Sequence, residues 1–323
     1  MTPFHRRATT RLAAIAIGAS LLALALASPA VAADPAACKA VRFADVGWTD
    51  ITATTAAAST IVEALGYQPK TDVLALPVTF ASLKNNDVDV FLGNWMPTME
   101  ADLAPYKADG SIAVVRANLE GAKYTLAVPT TLYDAGLKTF ADLAKFHDQL
   151  DGKIYGIEPG NDGNRLILGM IEKNQFDLGK FELVESSEQG MLSQVSRLTR
   201  TDKPIVFLGW EPHPMNANFK ISYLSGGDDV FGPNYGGATI YTLTRKDFAT
   251  DCPNLGKLFA NMVFSLPMEN EIMGAILNDS KEAGAAAKTW LAAHPEAYEP
   301  WLEGVTTLDG KPAAEAVKTA LSD

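Results

Sequence analysis

Cysteine is scarce in this chain, with two in 323 residues, Cys38 and Cys252, and histidine is little commoner at four. Two cysteines exclude a disulfide-dense scaffold and any motif built on paired cysteines. His147, His213 and His294 stand isolated, so no metal-ligand spacing arises. There is no Gly-x-Ser-x-Gly elbow and no phosphate-cradling glycine loop, which removes the common signatures of hydrolases and nucleotide enzymes. Basic residues are outnumbered, 27 against 38 acidic, for a formal net charge of −11. That sign argues against nucleic acid and anionic membrane surfaces, and mildly favours a cationic ligand through long-range steering. Beyond residue 33, no segment reaches the roughly 18 uninterrupted apolar residues that a membrane span needs.

The apolar run that does occur, Leu12 to Leu26, follows Arg6, Arg7 and Arg11 and precedes Ala30-Val31-Ala32-Ala33. This is the layout of a secretory signal peptide over residues 1–33. Arg6-Arg7 resembles a twin-arginine signal only weakly; ordinary secretion is preferred, and the export route stays open. Asp34 and Pro35 separate Cys38 from the apolar run, so it does not read as a lipoprotein cysteine. Losing the three arginines takes the formal charge from −11 to −14. About 290 residues remain, more than one compact core usually carries, so two lobes are expected. In an oxidising compartment Cys38 and Cys252 read as a disulfide, with two buried free thiols as the rival.

What is present in quantity is alternation. From Val41 onward, strand and helix patterns follow one another with short connections, which predicts α/β architecture with mostly parallel sheets flanked by helices. Strands are expected at Val41–Gly47, Thr71–Leu76, Val88–Leu92, Lys153–Ile157, Ile205–Leu208 and Thr239–Thr244, with Ile112–Val115 and Lys123–Val128 as two separate extended pieces. Helices are expected at Ile51–Leu65, Thr98–Tyr106, Asn164–Lys173 and Met191–Leu198, and then repeatedly from Leu255 to the end. One division accommodates this order: lobe one from residues 34–118 plus 224–323, and lobe two from residues 119–223. Both chain ends and the disulfide then fall in lobe one.

Three strands run through a glycine into a tryptophan: Val41 to Trp48, Val88 to Trp95, and Pro204 to Trp210. The chain has five tryptophans, so three at one kind of structural point is a pattern. In open α/β sheets the carboxyl ends of strands border the ligand crevice. Trp48 and Trp95 would come from lobe one and Trp210 from lobe two, facing each other across an interlobe cleft. A wall of π-faces suits a cation that cannot donate hydrogen bonds, above all a quaternary ammonium. Trp290 and Trp301, on or beside the last helices, read as ordinary buried residues.

Gly47-Trp48-Thr49-Asp50, Gly93-Asn94-Trp95-Met96-Pro97, Lys123-Tyr124, Pro159-Gly160-Asn161 and Gly209-Trp210-Glu211-Pro212-His213 together resemble the choline-binding periplasmic proteins of bacterial ABC importers. These belong to the wider glycine betaine and choline binding class with the two-lobed type II periplasmic fold. The likeness covers essentially the whole chain after the leader. It implies a periplasmic receptor, not an enzyme, that holds choline as its small-molecule ligand by lobe closure and delivers it to a membrane permease. It implies a trimethylammonium box of Trp48, Trp95, Tyr124 and Trp210, with Asp50 and Asn161 taking the hydroxyl. It implies no cofactor, no metal and no nucleic-acid partner, and a monomer.

The residues carry their own alternatives. Tyr124 is also an ordinary strand tyrosine, and Asp50 and Asn161 both stand where helix N-caps are found. Asp50 bears on ligand choice, because a buried carboxylate welcomes a net cation such as choline and repels the carboxylate of a betaine. Asn161, an amide, can donate to a hydroxyl oxygen while Asp50 accepts its proton. His213 could serve a betaine carboxylate; a supporting role is preferred. Three rival readings follow: a receptor for glycine betaine or proline betaine, an exported enzyme acting on choline esters, and a sensor coupled to a chemoreceptor. Acetylcholine is a further candidate ligand.

Overall fold

The computed structural model describes residues 1–2 and 34–322. The expected signal peptide and its cleavage site lie outside the described residues. From Ala40 the chain runs β1 (Ala40–Asp45), α1 (Thr49–Ala64), β2 (Gln68–Val73), α2 (Leu76–Lys84), β3 (Val90–Met96), α3 (Glu100–Ala108) and the long β4 (Ile112–Pro129). A second set follows: α4 (Thr130–Asp134), β5 (Lys153–Tyr155), α5 (Asp162–Glu172), β6 (Glu182–Val184), α6 (Glu188–Thr199), β7 (Phe207–Glu211) and β8 (Ile221–Tyr223). β9 (Gly237–Arg245) then leads into helices Pro253–Asn261, Leu266–Leu277, Ala283–Ala293 and Ala313–Ser322.

The strands lie in the order β2-β1-β3-β9-β4-β7-β5-β6, with β8 also on β4. β1 pairs parallel with β2 and β3, and β5 pairs parallel with β6 and β7, as short βα connections require. β4 and β9 are antiparallel to their neighbours and join the two parallel sets. The expected alternation is therefore present, on a sheet that is mixed overall.

β4 is where expectation and structure differ most. It is one strand of 18 residues, not two pieces. Arg116 to Gly121 breaks the apolar alternation, yet pairing with β9 continues there through register shifts between Val114 and Ala122. β2 also sits earlier than expected, because it is an edge strand, mostly exposed, with no apolar face to read. Pro69 is tolerated there for the same reason.

α1 is rich in small residues, and Ala53, Ala57 and Ala58 are fully buried. Such residues let the helix Ala283–Ala293 pack closely upon it. Gly66, at φ +90°, ends α1 in the left-handed conformation that glycine reaches without strain. Beneath, Phe43 of β1 meets Phe259 edge-on at 5.8 Å. The Cys38–Cys252 disulfide joins residues 214 apart in sequence, tying the start of β1 to the start of the Pro253–Asn261 helix. Asp34 reinforces that junction, its carboxylate accepting from the N–H groups of Asn254 (2.7 Å) and Leu255 (3.1 Å). No helix among the described residues is long and apolar enough to cross a membrane.

Candidate functional site

Each tryptophan is placed by a local device. β1 ends at Asp45, whose carboxylate accepts from the N–H of Gly47 (2.7 Å) and the hydroxyl of Thr52 (2.7 Å). Gly47, at φ +82°, turns the chain so that Trp48 stands at the entrance of α1. Trp95 lies one residue before the end of β3, and Trp210 one residue before the end of β7. At Gly93 a Cβ would come within 2.6 Å of Ile51, so glycine is what lets α1 approach the strand that carries Trp95. Tyr124 on β4 is in register with Trp210 on β7. A Cβ on Gly163 would lie 2.0 Å from the Tyr124 hydroxyl, which ties that glycine to the tyrosine's position.

Trp48, Trp95, Tyr124 and Trp210 converge on one tight cavity together with Asp50 and Ile157. Trp95 and Tyr124 have centroids 5.9 Å apart at 60°, and Tyr124 and Trp210 6.2 Å apart at 81°. All four rings are buried. Two indole N–H groups meet carboxylates: Trp48 Nε1 donates to Glu158 (2.8 Å), and Trp95 Nε1 to Asp50 (3.2 Å), which itself lines the cavity. Those bonds hold the Trp48 and Trp95 rings in orientation.

Asp50 is not a helix cap. Trp48 occupies the N-cap position of α1, and Asp50 lies within the first turn. One carboxylate oxygen meets Trp95; the other, Oδ1, is buried without a partner. Burial, and then the nearby charge of Glu188, push the Asp50 carboxyl up to about 8. No lysine or arginine lines the cavity. Other acids surround its walls: burial raises Glu158 to about 7 and Asp162 to about 6, and burial plus the charge of Asp50 raises Glu269 well above the usual range. Unpaired buried acids in one region form a field that a bound cation would relieve.

Asn161 is placed differently from the other five expected residues. It caps α5, its Oδ1 accepting from Asn164 N–H (3.0 Å) and from the Tyr124 hydroxyl (3.1 Å) while its Nδ2 donates to Asp162 (3.1 Å). It supports Tyr124 from behind and does not line the cavity. His213 is buried, with its ring against Trp210 at 5.0 Å and its nitrogens on Glu188 and on Met215 N–H. Ile157, Glu158, Glu188 and Glu269 went unread in sequence. Their lack of any motif explains Ile157 and Glu269; for Glu158 the neighbouring Pro159-Gly160-Asn161 was a usable signal. Trp301 is buried, with its N–H on Val263 C=O, and Trp290 stacks on His294, both far in character from the box.

The model of a family described as the substrate binding domain of ABC-type glycine betaine transport systems matches residues 39–293. Among solved structures, an ABC-transporter choline binding protein in complex with choline is 64% identical, covers 89% of this chain and 100% of its own, and superposes with a TM-score of 0.88. An ABC-transporter choline binding protein in an unliganded semi-closed conformation has the same identity and coverage and a TM-score of 0.82. The lactococcal OpuAC protein, closed on glycine betaine, is 25% identical over 81% of this chain and 98% of its own, with a TM-score of 0.73.

Proposed function

Because the chain belongs to the family of substrate-binding domains of ABC-type glycine betaine transport systems, we propose that it is a receptor that captures choline by closure of two lobes and hands it to the transporter's permease. The carrying observation is the single cavity where Trp48, Trp95, Tyr124 and Trp210 surround Asp50, whose Oδ1 has no partner. A quaternary ammonium has no N–H, so aromatic faces are what can grip it, at about 0.5–2 kcal/mol per ring in addition to burial. Asp50 meets the net positive charge and accepts from the hydroxyl. Asn161 serves through the Tyr124 hydroxyl that it holds, and by direct donation to the ligand if its amide turns on binding.

The lobes are 34–118 with 224–323, and 119–223. The returning chain from Leu224 to Phe231 still leans on the second lobe, through Leu126 C=O, Phe140 N–H and the ring of Phe140. Bending on closure is therefore expected between Gly232 and Gly237. The higher superposition on the choline-bound relative than on the semi-closed one supports reading this structure as the closed form. We place the protein in the periplasm, as a monomer, after removal of residues 1–33.

Glycine betaine is the second reading, favoured by the family's description. The cavity speaks against it: no lysine or arginine lines it to meet a betaine's carboxylate, and His213 is engaged by Glu188 and Met215. An enzyme acting on choline esters is disfavoured because the lining contains no nucleophile with an adjacent base. Calorimetry with choline, acetylcholine, glycine betaine and proline betaine tests the reading. Choline should bind most tightly, acetylcholine more weakly and without release of acetate; tighter binding of either betaine would overturn the ligand assignment.

A further inference from the structure

Glu188 opens α6 and is buried, yet it lines no cavity with the box. Its carboxylate reaches the first residue of α1: Oε2 accepts from Thr49 N–H (2.9 Å) and Oε1 from the Thr49 hydroxyl (2.5 Å). Oε1 also receives His213 Nε2 at 3.2 Å. The proton of His213 is assigned to Nε2, because Nδ1 accepts from Met215 N–H at 3.0 Å. A 16-residue helix needs partners for its first N–H groups, and the N-cap residue here, Trp48, supplies no side-chain bond. The cap comes instead from a carboxylate 139 residues away, where the helix dipole also favours a negative charge.

Thr49 lies between Trp48 and Asp50, and His213 lies against the ring of Trp210. One carboxylate therefore grips, on one side, the backbone that carries two site residues and, on the other, the imidazole that supports a third. We infer that Glu188 is a positioning residue for ligand capture: a buried clasp from the second lobe that completes the N-terminus of α1 and sets the Trp48–Asp50 wall against Trp210. This rests on the two-lobed closure proposed above. Other polar contacts cross the same division: Trp48 Nε1 donates to Glu158 (2.8 Å), and Arg165 reaches Asp102 (2.6 Å) and Thr98 C=O (2.9 Å), the last pair partly exposed and accordingly screened.

A carboxylate is required by the donor count. Three donors converge on two oxygens; glutamine would offer one oxygen and an NH2 group that faces another donor. Glu188→Gln should therefore weaken choline binding by about tenfold or more, mainly through faster dissociation, as expected when a charge-assisted buried bond is lost. Thr49→Val, which keeps the N–H bond, should lose less, and Thr49→Ser should restore near wild-type binding.

The deciding measurement pairs choline titration with electron–electron distances between spin labels at Lys107→Cys and Lys180→Cys, exposed positions in the two lobes, with and without ligand. The clasp predicts longer distances in Glu188→Gln than in the parent before any ligand is added. Unchanged distances, or weaker binding accompanied only by a lower melting temperature, would overturn it. If the parent failed to bind choline, the ligand assignment would fall while the ligand-free distances still decided the clasp.

Discussion

Two buried aspartates sit at opposite ends of β3 and live in opposite conditions. Asp89, just before the strand, is bound by Arg42 through its backbone N–H (2.9 Å) and guanidinium (2.8 and 2.9 Å), and by Arg245 (2.9 Å). Burial alone would raise its carboxyl, but the Arg42 and Arg245 bonds outweigh burial and hold it below the usual range. Asp50, packed against Trp95 near the strand's other end, has one indole bond, an unpartnered oxygen and a carboxyl pushed up to about 8. The first pair ties β1, β3 and β9 together. The second is a local violation of polar satisfaction, and such violations concentrate where a ligand supplies the missing partner. The same kind of side chain thus serves stability beside one end of β3 and, from α1, recognition beside the other.

The comparison is broken most severely by Trp95→Ala, which removes both a wall of the box and the N–H that holds Asp50. Lost burial and lost cation–π attraction together amount to about 3 kcal/mol, so choline affinity should fall about a hundredfold or more in calorimetry. Binding that survives this substitution intact would mean that the box is not the site. Asp89→Asn should act in the opposite sense. Breaking a buried ion pair costs about 3–5 kcal/mol; since Arg42 is 35% exposed, about 2–3 kcal/mol is expected in urea unfolding. Choline affinity should stay within about twofold of the parent, and a large loss would dissolve the division between the two ends. Asp50→Asn should lower choline affinity by about tenfold, the worth of one nearby charge at an intermediate dielectric. The ligand-free variant should resist urea at least as well as the parent, because an unpaired buried acid has been replaced by a neutral group.

Much of this difference was legible in the residues alone. The glycine-tryptophan strand ends pointed to the cavity because a strand's carboxyl end borders the crevice in α/β sheets, and Trp48, Trp95 and Trp210 do meet there. The disulfide followed from two cysteines and a leader. What could not be read was three-dimensional. Glu188 and Thr49 are far apart in sequence and belong to no motif, so the actual cap of α1 was invisible, and Asp50 looked like a cap in its place. β4 was split in expectation because sequence periodicity registers an alternating face, whereas Arg116 to Gly121 holds its pairing through shifted register. The two arginines on Asp89 likewise come from β1 and β9, strands brought beside β3 only by the sheet order.

The finest test of the comparison is proton linkage, since choline has no proton of its own to lose near neutrality. In the empty cavity Asp50 takes up a proton below about 8, raised first by burial and then by Glu188. A bound quaternary ammonium favours the charged carboxylate, so binding should expel that proton. Affinity should accordingly rise with pH, by about fivefold between pH 7 and 8 for a group titrating near 8, and level off above. The ligand-free fold carries the complementary slope. Its Asp50 holds a proton over a range where the unfolded chain has lost it, so this group's contribution to stability declines as pH rises from about 4 toward 8. Glu158, raised to about 7, and Asp162, raised to about 6, add slopes of the same sign over narrower windows. Asp89, with its lowered carboxyl, has the opposite slope, stabilising above the unfolded value and failing only in acid. Titrations at pH 7 in buffers of different ionisation heat should therefore register proton release in the parent and clearly less in Asp50→Asn, where only the neighbouring acids remain, while Asp89→Asn releases as the parent does. Affinity that is flat or falling from pH 7 to 8 would show that the unpaired carboxylate is not what meets the cation.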